Sequence, residues 1–114
     1  MKMRTNRWFG SAGITCIFLI LGIAAPQAFA QKGAELFKAK CALCHGQDAT
    51  GNTTIGAKLK AHDLHAPEVQ KQTDAELRQV IAEGKNKMPA YEKKLAKDQI
   101  DSLVAYVREL AKKK

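Results

Sequence analysis

Apolar positions along the chain fall into four stretches whose spacing differs, and the spacing predicts the elements. From Trp8 to Gln31 there is no charged residue, and the centre of that stretch, "ITCIFLILGIAA", is apolar on every side. "GAELFKAK", Gly33 to Lys40, sets Leu36 and Phe37 among charges and predicts a short amphipathic helix. "QTDAELRQVIAEGKN" predicts a capped helix: Thr73 is the N-cap, Glu76 closes a capping box, Leu77, Val80 and Ile81 share a face, and Gly84 stops it. The last stretch, Lys97 to Lys112, puts Ile100, Leu103, Val104, Val107 and Leu110 on one stripe. Its N-cap, Ala96, has no side-chain acceptor, although Gln99 can supply the reciprocal half of a box and Leu95 can staple to Ile100. From Gly46 to Ala66 the chain is rich in Gly, Thr, Asn and Asp and predicts a loop with about one helical turn. No strand-like alternation and no repeat occurs, so the class is all-α.

The first stretch changes how much of the chain counts as folded domain. Lys2, Arg4 and Arg7 precede the apolar centre, and the small residues Ala28 and Ala30 follow it. That order predicts a secretory signal cut after Ala30. The expected organisation is a signal peptide at residues 1–30 and a domain at residues 31–114. The protein would then work in the periplasm or another extracytoplasmic space. The alternative is an uncleaved membrane anchor, because Trp8 to Ala25 is uncharged and about 18 to 20 such residues suffice to span a bilayer.

Cleavage would leave 84 of the 114 residues and remove Cys16, Trp8 and every methionine except Met88. The cut also removes three basic residues and no acid, so the net charge of +8 falls to +5. A domain of that size buries a modest core and usually needs a staple such as a disulfide, a metal or a cofactor.

"CALCHG", residues 41 to 46, supplies the staple. Cys41-x-x-Cys44-His45 has the spacing of a c-type haem attachment: two sulfurs three positions apart can each form a thioether to one porphyrin edge, and the adjacent imidazole can ligate the iron. A disulfide between the two cysteines would close so short a loop that it constrains little. A thioredoxin-like pair expects a βαβ pattern, which is missing. Zinc could recruit His62 and His65, but the Cys-Cys-His run is tighter than the separated pairs of structural zinc sites.

For the second axial position the candidates are Met88, His62 and His65. Met88 lies in "GKNKMPAY", among polar neighbours and before a stiffening proline, which is not the setting of a core-filling methionine. A soft thioether there would raise the reduction potential and close the iron to other ligands. Met88 is the expected ligand, with His45 on the other side.

Residues 33 to 110 resemble a class I c-type cytochrome of the small bacterial monohaem kind. The stretches that carry the resemblance are "GAELFKAKCALCHG", "GKNKMPAYEKKL" and "DQIDSLVAYVREL". The resemblance implies a small cytochrome c fold, three to five helices wrapped round one covalently bound haem c. It also implies that the first and last helices cross, Gly33 and Phe37 meeting Val104, Tyr106 or Val107.

The implied function is one-electron transfer at the iron by an exported, soluble carrier that is not an enzyme. Its partners would be redox proteins, including acidic membrane complexes such as an oxidase, a reductase or a reaction centre, and not nucleic acid. Membrane attachment is expected only if residues 1–30 are retained. Two rivals stand beside this: a haem protein with an open distal site, acting as a peroxidase-like enzyme or gas sensor, and a zinc-binding structural module.

Phe37, Leu43, Ile55, Leu59, Leu64, Val80, Ile81, Tyr91 and Leu95 are expected round the macrocycle. Lys38, Lys40, Lys58, Lys60, Lys85, Lys87, Lys93 and Lys94 would lie near its exposed face, as a docking ring or as ordinary solvated charge. One departure from the family concerns the proline that commonly follows the motif and whose carbonyl accepts from the proximal histidine. No proline lies between Cys44 and Pro67, so the carbonyl of Thr54 or Ile55, or a less constrained group, is the expected substitute.

Overall fold

The computed structural model describes residues 25–113. The expectation of a signal segment falls mostly on residues 1–24, which lie outside that range. Six α-helices are present among the described residues: α1 (Ala25–Lys40), α2 (Ala42–His45), α3 (Thr54–Leu59), α4 (Pro67–Gln70), α5 (Asp74–Glu83) and α6 (Lys97–Leu110). The count exceeds the expected three to five because α2 and α4 are single turns of four residues. No helix among them is long and apolar enough to cross a membrane.

The frame is the crossing of α1 and α6. Gly33 lies so close to α6 that a Cβ there would sit 1.9 Å from the Ser102 carbonyl oxygen, so only a residue without a side chain permits the approach. One turn on, Phe37 is almost fully buried and its ring centroid is 5.1 Å from that of Tyr106. The expected contact with Tyr106 is therefore present for both residues, since a Cβ on Gly33 would also lie 3.0 Å from the Tyr106 Cβ, and Gly33 meets the Ser102 backbone as well. Burial of a phenylalanine of this kind contributes about 1.5–3 kcal/mol.

The predicted stripe on α6 is buried at all five positions, joined by Ser102 and Tyr106. The stripe splits between two packing groups. Ile100, Leu103, Tyr106 and Leu110 pack with Phe37 and Leu95, while Val104 and Val107 pack with Val69 and Leu77. Helix α5 starts and ends as expected: Thr73 Oγ1 accepts from the Glu76 amide, Glu76 accepts from the Thr73 amide at 2.6 Å, and Gly84 follows the last turn.

Arg108, on α6, ties down the α4–α5 connection. It donates to the Asp74 carboxylate at 2.8 Å, to the Gln70 carbonyl at 2.9 Å and to the Gln72 carbonyl. Gln70 in turn donates to the carbonyls of Leu64 and Val107. These bonds saturate backbone oxygens that a short, irregular connection would otherwise leave without partners. They also hold Val69, Leu77 and Val80 where a cavity wall is needed.

Candidate functional site

Helix α1 carries the chain into the motif: the Cys41 amide donates to the Phe37 carbonyl at 2.8 Å. The His45 amide donates to the Cys41 carbonyl, so cysteine and histidine lie one turn apart. Cys41, Cys44 and His45 are all half-buried and all line one cavity of about 650 Å³. The two thiols are free rather than bridged.

Burial, and secondarily the neighbouring Cys44, pushes the Cys41 thiol up to about 11. A reactive redox cysteine has the opposite property, a depressed pKa and an exposed thiolate. Among the described residues no cluster of His, Cys, Asp and Glu suits a metal ion held by side chains alone.

His45 Nδ1 donates to the backbone carbonyl of His62 at 3.3 Å. The acceptor is neither Thr54 nor Ile55, as the sequence had suggested, because those two residues open α3 and lead the chain away. Thr53 caps that helix by accepting from the Gly56 amide, and its hydroxyl donates to the carbonyls of Leu43 and Cys44. The helix ends at Lys60 in a left-handed conformation (φ 56°), and the Ala61 amide bonds back to the Gly56 carbonyl. That reversal delivers the His62 carbonyl to His45. Burial holds the His45 imidazole below the usual histidine value, with the bond to His62 acting in the other direction. A neutral ring whose Nδ1 is engaged leaves Nε2 to bind a metal.

Met88 is on the same cavity wall, half-buried. Its loop is a tight reversal in which the Met88 amide donates to the Lys85 carbonyl at 2.9 Å and the Lys85 amide returns a bond of 3.2 Å. Asn86, at the turn, takes a positive φ of 53°, which asparagine tolerates better than most residues. Of the competing histidines, His65 is outside the cavity and paired with Asp63 at 2.8 Å. His62 reaches the cavity margin and contributes its carbonyl.

The rest of the wall is largely apolar. Phe37, Leu59, Leu64, Val80, Ile81 and Tyr91 line it as expected, but Leu43 is 71% exposed and Ile55 is 38% exposed, and neither touches it. Leu43 lies on the α2 turn off the face that carries Cys41, Cys44 and His45, and the Thr53 hydroxyl holds the start of α3, with Ile55, at the end of α2. Leu95 is buried in the α1–α6 core instead. Val69, Leu77, Leu103 and Val107 take their places on the wall. Lys40, Lys60, Lys85 and Lys87 edge the cavity, whereas Lys38, Lys58, Lys93 and Lys94 are exposed elsewhere. Burial, then the nearby Cys41 and Cys44, holds the Tyr91 phenol above its usual value.

The donor set and the volume fit a large, flat, apolar group carrying iron: paired thiols beside an imidazole, a thioether on the same cavity, and greasy walls between. A second hollow, of about 470 Å³ along α5, has neither thiol nor imidazole nor thioether.

Residues 28–107 match the family model described as cytochrome c oxidase, cbb3-type, subunit III. The chain belongs to the c-type cytochromes.

Among curated relatives of this cytochrome, cytochrome c6 of Leptolyngbya boryana is 38% identical over 87 residues, covering 75% of this chain and 98% of that one. The cbb3-type cytochrome c oxidase subunit FixP of Azorhizobium caulinodans is 37% identical over 82 residues. That match covers 71% of this chain and 27% of the oxidase subunit, so the cytochrome spans about a quarter of FixP's length. Among solved structures, the KustC0563 c-type cytochrome superposes with a TM-score of 0.63 at 31% identity, covering 68% of this chain and 95% of that one. The cytochrome is a small all-α member of class I with one covalently bound haem c. Such a cofactor supplies an iron that gains and loses one electron.

Proposed function

We propose that this cytochrome is an exported, soluble electron carrier. Cys41 and Cys44 anchor the haem by thioethers, and His45 and Met88 are the axial ligands. The observation that carries the reading is that all four side chains border one apolar cavity, while His65 is outside it and paired with Asp63 and His62 turns its carbonyl to His45.

Each residue has a part that its surroundings explain. The cysteines fix one edge of the cofactor at the end of α1. His45 stays neutral and is oriented by the His62 carbonyl. The apolar walls put few solvent dipoles beside the iron, so little has to reorient when its charge changes and the barrier to electron transfer stays low. Met88 occupies the position that an enzyme or a gas sensor would leave open, which is why the carrier reading is preferred to either. Family membership leaves no support for the zinc module.

The domain is taken to begin at Gln31 after export. α1 runs unbroken through Ala30, which is buried, so cleavage would shorten that helix while retaining Gly33 and Phe37. Lys40, Lys60, Lys85 and Lys87 edge the cavity and fit docking to an acidic surface on a redox partner.

The test is a redox titration and visible spectrum of the wild-type holoprotein beside Met88→Ala. The variant should titrate at a lower midpoint potential and bind carbon monoxide in the ferrous state. A variant with the wild-type spectrum and potential would remove Met88 from the site.

A further inference from the structure

Tyr91 is the residue through which the Met88 loop is joined to the helix that leads into the cysteines. Its hydroxyl donates to the Lys40 carbonyl at 3.2 Å, one residue before Cys41. Among the described residues, no other hydrogen bond or ion pair joins residues 85–95 to residues 25–62.

The rest of that segment is tied locally. The Tyr91 amide donates to the carbonyls of Ile81 and Ala82 at 3.1 and 3.0 Å, and its own carbonyl accepts from Lys94 and Leu95. Met88 is locked to Lys85 in the same way. Only Pro89 and Ala90 separate Met88 from Tyr91, and proline has a fixed φ, so the two side chains ride on one stiff piece of backbone. Both line the same cavity. Met88 and the Tyr91 hydroxyl bond thus belong to one short segment that leaves the end of α5 and closes over the cavity.

We propose that Tyr91 is a positioning residue for Met88: its hydroxyl bond to the Lys40 carbonyl holds the Met88 loop against the cavity, so that release of the sulfur and rupture of this bond are one opening event. The inference rests on the reading of Met88 as the axial ligand.

Carbon monoxide uptake by the ferrous holoprotein reports the opening, measured for wild type, Tyr91→Phe, Met88→Ala and the double variant. Tyr91→Phe keeps the ring and its packing and should raise the uptake rate about two- to tenfold, the factor expected for one neutral hydrogen bond. In the Met88→Ala background the position is already open, so adding Tyr91→Phe should change nothing further. An uptake rate unaltered in Tyr91→Phe, even with a lowered melting temperature, would reduce Tyr91 to a packing residue and overturn the proposal. The same factor appearing with and without Met88 would also overturn it. A Met88→Ala protein that excludes carbon monoxide would instead defeat the ligand assignment itself.

Discussion

The imidazole of His45 and the backbone carbonyl of His62 are 3.3 Å apart, seventeen positions distant along a chain that has no proline between them. Under the proposed ligation the His62 carbonyl takes the part that the family commonly gives to a proline carbonyl, and the fold must hold that oxygen by other means. Gly51 is one of them. It has a φ of 76°, its amide donates to the His45 carbonyl at 2.7 Å, and a Cβ there would lie 2.4 Å from the Ala61 oxygen and 3.2 Å from that of His62.

Gly51→Ala is expected to displace the 61–62 peptide and weaken the bond to His45. A less electron-donating imidazole stabilises the ferric state less, so the midpoint potential should rise. Stability should fall by about 1–2 kcal/mol from the left-handed backbone alone. Redox titration and thermal melting of the holoprotein check both, and an unmoved potential would show that the His62 carbonyl does not tune the site.

Gly33→Ala separates packing from helix propensity. Alanine in a helix interior is favoured over glycine by about 1 kcal/mol, yet here the new methyl would meet the Ser102 carbonyl at 1.9 Å. A rigid backbone cannot yield as a side chain does, so the expected result is a net loss of about 1–3 kcal/mol in urea unfolding of the holoprotein. A gain in stability would mean that α1 and α6 do not cross at this point.

Ala96 has the extended backbone of an N-cap, with φ −70° and ψ 160°, and its amide already donates to the Gln99 side chain at 2.9 Å. Leu95 and Ile100, the staple pair, are buried in the same cluster. Only the cap's own acceptor is missing. Ala96→Ser should add about 0.5–2 kcal/mol, and the melting temperature should rise by about 4–8 °C per kcal/mol for a domain of this size. No rise would place the start of α6 elsewhere.

Acid should weaken the start of α5. The hydrogen bonds from the backbone and side chain of Thr73 hold the Glu76 carboxyl below its usual range. A depressed folded-state value stabilises the protein fully above the unfolded pKa of about 4.3, and that contribution is lost as pH falls through the folded value. Glutamine can close the same box without titrating. Glu76→Gln should therefore lose less of its melting temperature than wild type between about pH 5 and pH 3, and an identical acid slope would contradict the box.

The helices α5 and α6 were legible in the sequence because each announces itself locally, α5 by a cap and a stop, α6 by a stripe of apolar residues at helical spacing. The four side chains proposed to hold the haem could be picked out beforehand because haem attachment demands fixed spacing at Cys41, Cys44 and His45, and because Met88 sits where a core methionine would not; in the structure all four line one cavity. What the sequence hid depends on contacts between distant segments. The placement of Ile55 depends on α3 being held at the end of α2 by the Thr53 hydroxyl, which bonds back to the Leu43 and Cys44 carbonyls. The acceptor for His45 follows from a reversal at Lys60 that no residue type there signals. Val69, Leu77, Leu103 and Val107 read as generic apolar positions, and it is the Arg108 and Gln70 bonds that draw the α4–α5 connection, with Val69 and Leu77, against α6, which carries Leu103 and Val107.

The most direct test of the account is the intact mass of the holoprotein after denaturation, taken from a host able to attach c-type haem. The account predicts a chain that keeps its visible colour when unfolded and weighs one haem more than the polypeptide, with the added mass confined to the fragment spanning Cys41 to His45. A colourless chain at the bare polypeptide mass, or haem that leaves on denaturation, would contradict it.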